Sequence, residues 1–320
     1  MVKREMALRV AFFGTPAFAV PSLEQLVRSS HPVVGVITQP DRPRGRGQQV
    51  SEGPVKSLAL ALGLPVLQPA RLAHDQFAEQ FDALNAEIGV VAAYGKILPD
   101  WLLAAPRLGL INVHASLLPR YRGASPIHRA VIGGDRETGV TIMRVVKALD
   151  AGPMIATTSV PIGPDDTTTA IEEQLAVRGA DLLVRTLDEI AAGTARETPQ
   201  DESLATYAPK LAKSEGRVDW SLPAANIHNL IRGLWPWPHA FSHLGDVRYI
   251  LHRSRLSPLA TQLAPGTIIA ASSIDGLHVA CGDGMAIELL DLQLEGKRVM
   301  TARDAIAAKA LVAGAKFSSP

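Results

Sequence analysis

Asn112, His114 and Asp150 are three polar residues whose types and spacing suit chemistry at a small carbonyl group. Asn112 and His114 lie two positions apart in the apolar run 110–114, so in a strand their side chains project to the same face. A carboxamide can donate to a carbonyl oxygen as negative charge develops on it, while an imidazole can accept a proton from an attacking nucleophile. Asp150 could orient that imidazole, so the trio favours acyl transfer.

The residues that follow His114 strengthen this interpretation. A single histidine at the end of a strand is more often a hydrogen-bonded structural residue than a catalytic one. Here, however, it is followed by residues 115–123, a loop that contains Pro119 and Gly123. Proline and glycine fix the path of such a loop, and its main-chain groups could bind a flat heterocycle.

Three other kinds of site fit the residues less well. A hydrolytic triad of Ser116, His114 and Asp150 would need a Gly-x-Ser-x-Gly elbow, which is absent around Ser116. A metal site at His114 and Asp150 would need further ligands, and none stands nearby at ligand spacing, so no metal is expected. A nicotinamide enzyme would need Gly-x-Gly-x-x-Gly after the first strand, whereas residues 14–19 read Gly-Thr-Pro-Ala-Phe-Ala.

Three arginines, Arg42, Arg44 and Arg46, stand among glycines and prolines in residues 39–47. Guanidinium groups bind phosphates and stack on bases, so this segment could contact a substrate that carries nucleic acid. A solvated hinge loop explains the same residues equally well. The formal net charge is only +1, so any RNA partner must be bound through local clusters of this kind.

The elements that must position these residues alternate between strands and helices. Apolar β-branched runs predict strands over residues 8–13, 33–37, 88–92, 110–114 and 140–146, with helical patterns around 18–27, 55–62 and 76–85. This alternation predicts an α/β domain with an open parallel sheet covered by helices. Ligands of such sheets bind beyond the carboxyl ends of the strands, where Asn112 and His114 are expected.

The pattern changes after a long helix that is predicted over residues 167–192. Residues 194–209 are rich in Thr, Ala, Glu and Pro and are interpreted as a linker between a catalytic domain, 1–193, and a C-terminal domain, 210–320. Short strands near residues 240–242, 249–252, 266–271, 277–281 and 285–290, with helices near 224–232 and 302–311, predict a smaller β-barrel.

Composition narrows the class of protein. Hydrophobic residues at 47% and charged residues at 20% of 320 are ordinary for a globular protein, and no stretch is long enough for a spanning helix. The single cysteine, Cys281, cannot form an internal disulfide, which favours a reducing, cytoplasmic location. A monomer without membrane contact is expected.

The motifs resemble those of a known family along essentially the whole chain. Asn112-Val113-His114 with residues 116–127 is similar to the signature of enzymes that use 10-formyltetrahydrofolate, and residues 138–153 are similar to its second half. Glycinamide ribonucleotide formyltransferases, sugar-nucleotide formyltransferases and formyltetrahydrofolate hydrolases share these motifs. Residues 38–47 and 207–241 resemble more specifically the bacterial methionyl-tRNA formyltransferases.

The resemblance implies a Rossmann-like formyltransferase domain, an OB-like C-terminal barrel that helps to bind tRNA, and formyl transfer from 10-formyltetrahydrofolate to methionyl-initiator tRNA. It implies that Asn112, His114 and Asp150 are catalytic. By the same resemblance, the folate is contacted by Ser116, Leu117, Leu118 and Pro119. The matching arginine segment faces the tRNA, which implies this role for Arg42, Arg44 and Arg46.

Overall fold

The computed structural model describes residues 7–44, 49–73, 76–308 and 311–318. The chain folds into two compact units, each made of separate segments. Unit 1 comprises Met1–Gly123, Thr138–Val160 and Glu172–Tyr207, and unit 2 comprises Ala124–Glu137, Pro161–Ile171 and Ala208–Pro320. The domain boundaries inferred from the sequence, at residues 193 and 210, stay a prediction.

Strands and helices alternate in the first half of the chain, and short strands dominate the last third. The strands are β1 Val10–Gly14, β2 Val33–Ile37, β3 Arg42–Arg44, β4 Gln49–Ser51, β5 Val66–Leu67, β6 Ile88–Ala92, β7 Leu110–His114, β8 Arg122–Gly123, β9 Glu137–Arg144, β10 Met154–Pro161, β11 Tyr207–Ala208, β12 Ala240–Leu244, β13 Val247–Ala260, β14 Ile268–Ser272, β15 Gly276–Ala280, β16 Met285–Leu294 and β17 Met300–Thr301. The α-helices are α1 Val20–Arg28, α2 Pro54–Ala61, α3 Gln76–Ala83, α4 Asp100–Ala104, α5 Pro126–Ile132, α6 Thr168–Ala192, α7 Ala224–Gly233 and α8 Ala302–Ala307, and 3-10 helices cover Ala17–Ala19, Glu202–Leu204 and Lys213–Gly216.

The main sheet of unit 1 has the strand order β10-β9-β7-β6-β1-β2-β5. The five neighbouring strands β7, β6, β1, β2 and β5 are all paired in parallel, which confirms the predicted open parallel sheet. Beyond β7 the sheet is mixed, because β9 runs antiparallel to β7 with His114 opposite Thr141. An antiparallel strand at one side of a parallel sheet is a common arrangement in α/β proteins.

The parallel strands are buried on both faces, so their sequences are continuous apolar runs rather than alternating ones. The aromatic cluster of Phe13, Phe77, Phe81 and Tyr94 packs on one face. Three helices begin with a proline in the first turn, α1, α2 and α5. Proline is well placed there because the first helical N–H groups have no partner within the helix.

Unit 2 contains an antiparallel sheet with the order β12-β13-β16-β15-β14. Near the C-terminus, Ser318 forms an isolated antiparallel β-bridge with His243 of β12. Lys316 forms another with Thr267, the residue before β14. Because these bridges join the two edges of the sheet, they close it into the small barrel that was predicted. Its core includes the fully buried Trp220, whose ring stacks on Phe317 at 5.5 Å between centroids.

Within the part of the chain that the structure describes, no helix is both long and apolar enough to cross a membrane. Cys281 is buried in the core of unit 2. Burial raises the pKa of its thiol to about 12, so Cys281 is an unreactive packing residue.

Candidate active site

His114 ends strand β7 at the carboxyl edge of the parallel sheet, as the sequence predicts, and Asn112 lies two residues before it on the same strand. His114 is 5% exposed, whereas Asn112 is half-buried. Within the described residues, the carboxamide of Asn112 accepts and donates no hydrogen bond. An amide with open donors beside an imidazole is therefore available to a ligand at this edge.

A main-chain carbonyl orients the imidazole of His114. The Nε2 atom of His114 lies 3.0 Å from the carbonyl oxygen of Tyr121. A carbonyl oxygen only accepts hydrogen bonds, so Nε2 must carry a proton. The other ring nitrogen, Nδ1, is consequently the one that can gain and lose a proton during a reaction.

Asp150 lies beside this second nitrogen. Its Oδ2 atom is 3.8 Å from Nδ1 of His114, beyond hydrogen-bond distance but close enough for electrostatic attraction to an imidazolium. The same oxygen accepts a hydrogen bond of 2.8 Å from the main-chain N–H of Gly123. Asp150 is therefore placed to stabilise a positive charge on His114 rather than to accept a hydrogen bond from Nδ1.

The turn that carries Asp150 has an unusual main-chain geometry. Asp150 has φ of 48°, in the left-handed region that aspartate tolerates better than most residues. Two positions later, a Cβ atom on Gly152 would come within 1.9 Å of the carbonyl oxygen of Arg144. Only glycine permits this close approach, which brings the turn back onto the end of β9.

The loop that follows β7 is held by buried hydrogen bonds. The hydroxyl of Ser116 donates to the carbonyl of Arg120 at 2.6 Å, and Ser116 is fully buried. The buried hydroxyl of Thr141 donates to the carbonyl of Ser116 at 2.7 Å and accepts from the N–H of Leu118 at 3.1 Å. Ser116 is thus engaged with its own loop rather than with His114, which argues against a hydrolytic triad.

Gln200 and Arg122 form a buried brace behind the His114 and Asp150 pair. The amide nitrogen of Gln200 donates to the carbonyls of Asp150 and Gly152, both at 2.8 Å. Its amide oxygen accepts from Nε of Arg122 at 3.0 Å. Arg122 is 2% exposed. The composition of residues 194–209 predicts only a linker, so the sequence gives no signal for this brace.

Glu202 completes the pairing of the buried guanidinium. Its two carboxylate oxygens accept from Nη1 and Nη2 of Arg122 at 2.9 and 2.8 Å. The side-chain hydrogen bonds to Glu202 raise the pKa of Arg122, and in return they lower the pKa of Glu202. The guanidinium therefore stays charged, and its geometry is fixed by two parallel hydrogen bonds.

Further polar segments converge at the same edge of the sheet. The main-chain N–H of Gln39, after β2, donates to the hydroxyl of Thr15, after β1, at 3.3 Å. The amide nitrogen of Gln39 donates to the carbonyl of Tyr94, after β6, at 2.7 Å. Three loops at adjacent strand ends are thus joined through a single glutamine.

The arginine segment begins beside a polar cluster. Asp41 accepts from Nε2 of Gln68 at 3.0 Å and pairs with Nζ of Lys56 at 2.5 Å. The side-chain hydrogen bond from Lys56 lowers the pKa of Asp41, so this anchor is charged. Only the main chain of Arg42 and Arg44 is described, in strand β3 paired with β4, and Arg46 lies outside the described residues.

Chemically, the site offers an open amide donor, an imidazole with one exchangeable nitrogen, and a carboxylate close to that nitrogen. This set can stabilise a carbonyl oxygen as it becomes negative and can move protons to and from a nucleophile. Over residues 7–44, 49–73, 76–308 and 311–318, no group of three or more His, Cys, Asp or Glu residues could hold a metal ion.

Comparison with known families defines the class of protein. Residues 8–187 match the family model described as "Formyl transferase". Residues 210–310 match the model described as "Formyl transferase, C-terminal domain". The fold is accordingly that of the formyltransferase class, whose members use formyltetrahydrofolate donors.

Two curated relatives narrow the class further. The chain is 48% identical over 305 residues to the methionyl-tRNA formyltransferase of Methylococcus capsulatus, which covers 95% of this chain and 98% of the relative. It is 45% identical to the methionyl-tRNA formyltransferase of Citrifermentans bemidjiense, with 96% and 95% covered. The chain therefore belongs to the methionyl-tRNA formyltransferase family.

A solved structure supports the fold at much lower identity. The N-formyltransferase from Helicobacter canadensis, in complex with folinic acid and dTDP-3-aminofucose, superimposes with a TM-score of 0.67 at 17% identity. The match covers 88% of this chain and 98% of that chain.

Proposed function

We propose that this chain transfers the formyl group of 10-formyltetrahydrofolate to the α-amino group of methionyl-initiator tRNA. The products are formylmethionyl-tRNA for translation initiation and tetrahydrofolate. The observation that carries the proposal is the open carboxamide of Asn112 beside His114, whose Nδ1 faces Asp150 at 3.8 Å. This arrangement occurs in a chain that is 48% identical to a methionyl-tRNA formyltransferase.

In the proposed reaction, the neutral α-amine attacks the formyl carbon. The carbonyl oxygen becomes negative as the new C–N bond forms, and the carboxamide of Asn112 donates a hydrogen bond to it. The tetrahedral intermediate collapses as the bond from the formyl carbon to the folate nitrogen breaks. The leaving nitrogen takes up a proton, and tetrahydrofolate is released.

The geometry of His114 supports Nδ1 as the atom that carries the proton steps. Because the carbonyl of Tyr121 holds a proton on Nε2, Nδ1 accepts the proton that the attacking amine loses. The resulting imidazolium is stabilised by the carboxylate of Asp150, whose Oδ2 atom lies 3.8 Å from Nδ1 and which relays protons to and from solvent water. His114 can then return a proton to the leaving nitrogen.

The folate contacts proposed for residues 116–119 differ in kind. The hydroxyl of Ser116 and the N–H of Leu118 are used within the loop, so these two residues shape the contact surface. Leu117 and Pro119 are only partly buried and can pack against a flat ring.

We assign the acceptor end of the tRNA to the segment that carries Arg42, Arg44 and Arg46. Guanidinium groups suit phosphates and bases, and Lys56 and Gln68 fix the main chain at the start of the segment through Asp41. Since methionyl-tRNA and ribosomes occupy the cytoplasm, the chain is proposed to act there. It is proposed to act as a monomer, which light scattering on the purified protein can check.

The deciding experiment offers the purified protein 10-formyltetrahydrofolate with one acceptor at a time. The acceptors are charged initiator tRNA, charged elongator tRNA, a dTDP-amino sugar and glycinamide ribonucleotide. Release of tetrahydrofolate and acid-stable formylation of each acceptor are measured together.

Formylation of charged initiator tRNA in clear preference to the elongator and the small amines is the expected result. Preferential formylation of a sugar or nucleotide amine would refute the proposed acceptor but keep the proposed donor. Release of tetrahydrofolate without formylation of any acceptor would refute the transfer reaction itself.

A further inference from the structure

We propose that Gln200 is a positioning residue of the transfer site, which holds Asp150 at its working distance from His114. The inference rests on the proposed function, because it assigns a task in that reaction to a residue outside the Asn112, His114 and Asp150 trio. Gln200 lies 50 residues after Asp150, in a segment whose composition predicts only a linker.

The side-chain amide of Gln200 makes three hydrogen bonds, and all three go to residues at the site. Its nitrogen donates to the carbonyls of Asp150 and Gly152 at 2.8 Å each, and Gln200 is 9% exposed. These bonds hold the turn in which Asp150 has φ of 48°. A left-handed residue outside glycine costs free energy and persists only when its surroundings fix it.

The oxygen of the same amide contacts Arg122, which belongs to residues 121–123 beside the catalytic pair. It accepts from Nε of Arg122 at 3.0 Å. The neighbours of Arg122 in sequence are the two residues whose main chain meets the catalytic pair: the carbonyl of Tyr121 accepts from His114, and the N–H of Gly123 donates to Asp150. Gln200 thereby ties the turn of Asp150 to the segment that orients His114.

Thr206, six residues after Gln200, makes two more hydrogen bonds to residues 121 and 122. The N–H of Arg122 donates to the carbonyl of Thr206 at 2.8 Å, and the N–H of Tyr121 donates to the hydroxyl of Thr206 at 2.9 Å. With Glu202 on the guanidinium of Arg122, three residues of this segment, Gln200, Glu202 and Thr206, bond to residues 121 and 122.

Position matters here because Asp150 is not hydrogen-bonded to His114. Its carboxylate is placed at 3.8 Å by the main chain around it, and a displacement of about 1 Å can cost on the order of a hundredfold in rate. Loss of the Gln200 amide should therefore lower turnover without a matching loss of substrate affinity.

The test uses two variants of the full-length protein. Gln200→Met keeps the length of the side chain and removes both the donor and the acceptor. Gln200→Glu keeps an acceptor for Arg122 but places a carboxylate oxygen against the carbonyls of Asp150 and Gly152. The matched control is Gln25→Met, since Gln25 is partly buried and its amide, among the described residues, bonds to Asp181 on α6 and to no group of the site.

We expect kcat to fall about tenfold or more in both Gln200 variants, with KM for either substrate within about threefold. In the Asp150→Asn background, Gln200→Met should reduce kcat by less than about twofold, because the residue that Gln200 positions is already disabled. Gln25→Met should behave as wild type. Thermal unfolding of each variant separates these effects from loss of the fold.

Near-wild-type kcat in either variant, or a Gln200→Met effect that is unchanged in the Asp150→Asn background, would overturn the proposal. Failure of both variants to fold would overturn it as well, since Gln200 would then serve the fold. If the wild type does not use methionyl-tRNA, the proposed acceptor has failed separately, and the same cycle is measured with the amine that the acceptor survey identifies.

Discussion

Replacing Asn112 by alanine should abolish most of the turnover while leaving the fold intact. The prediction is sharp because the carboxamide is half-buried and makes no hydrogen bond with any described residue. Its removal therefore leaves no protein group unpaired, and the free energy of unfolding should change by no more than about 1 kcal/mol. In the proposed mechanism, the hydrogen bond from Asn112 is needed only when negative charge develops on the formyl oxygen.

The size of the kinetic effect follows from that role. Loss of one oxyanion donor typically costs about 100- to 1000-fold in kcat, which corresponds to about 2.7–4 kcal/mol of transition-state stabilisation. Because the interaction strengthens in the transition state, kcat should fall far more than KM rises. Asn112→Asp, which replaces the donor by a carboxylate of the same size, should be at least as inactive as Asn112→Ala.

Initial rates with methionyl-tRNA and single-turnover rates at saturating 10-formyltetrahydrofolate measure the chemical step directly, and urea unfolding measures stability. Asn226→Ala serves as the control, since Asn226 is exposed on helix α7. A kcat for Asn112→Ala within about threefold of wild type would refute the oxyanion role. A loss of stability that accounts for the lost activity would refute the claim that the amide is spare in the resting protein.

The other predictions concern the folate loop, the pH dependence of stability and the tRNA segment. Thr141→Val removes a buried hydroxyl with two hydrogen bonds and should destabilise the protein by about 1–3 kcal/mol and raise KM for 10-formyltetrahydrofolate, whereas Thr141→Ser should preserve both in steady-state and unfolding assays. Burial lowers the pKa of His228 below its ordinary value of 6.5, so the unfolded chain binds this proton first and stability should fall as pH drops below about 6.5. Thermal unfolding between pH 5 and 8 should show a flatter profile in His228→Gln. Arg46→Ala should raise KM for tRNA with little change in kcat, and the salt dependence of tRNA binding, measured by filter binding, should become shallower by about one ion.

The sheet could be predicted closely because its central strands are buried on both faces. Strands β2, β6 and β7 have the bounds inferred from their apolar runs. The sequence does not predict strand β10, Met154–Pro161, because only part of this strand is buried and its residues lack a strong apolar pattern. The apolar pattern predicts only residues 249–252 of strand β13, because the second half of this strand is largely exposed.

The candidate site could be predicted only where it depends on side-chain types. The spacing of two in a strand points to Asn112 and His114, and the structure places Asp150 beside His114. The carbonyl of Tyr121 has no signature in a sequence, since every residue carries one. Gln200 was hidden for a related reason: a polar residue in a segment rich in Thr and Pro indicates a linker unless its buried partners are known.

The groups that contact the imidazole of His114 have different roles from those in a serine protease triad. In such a triad the aspartate receives the N–H of the imidazole and so selects its tautomer. Here the carbonyl of Tyr121 selects the tautomer at Nε2, and Asp150 stands off from Nδ1 by 3.8 Å. In the proposed mechanism Asp150 is therefore free to stabilise the imidazolium and relay protons. That freedom makes its position depend on the turn that holds it, and hence on Gln200 rather than on a bond to His114.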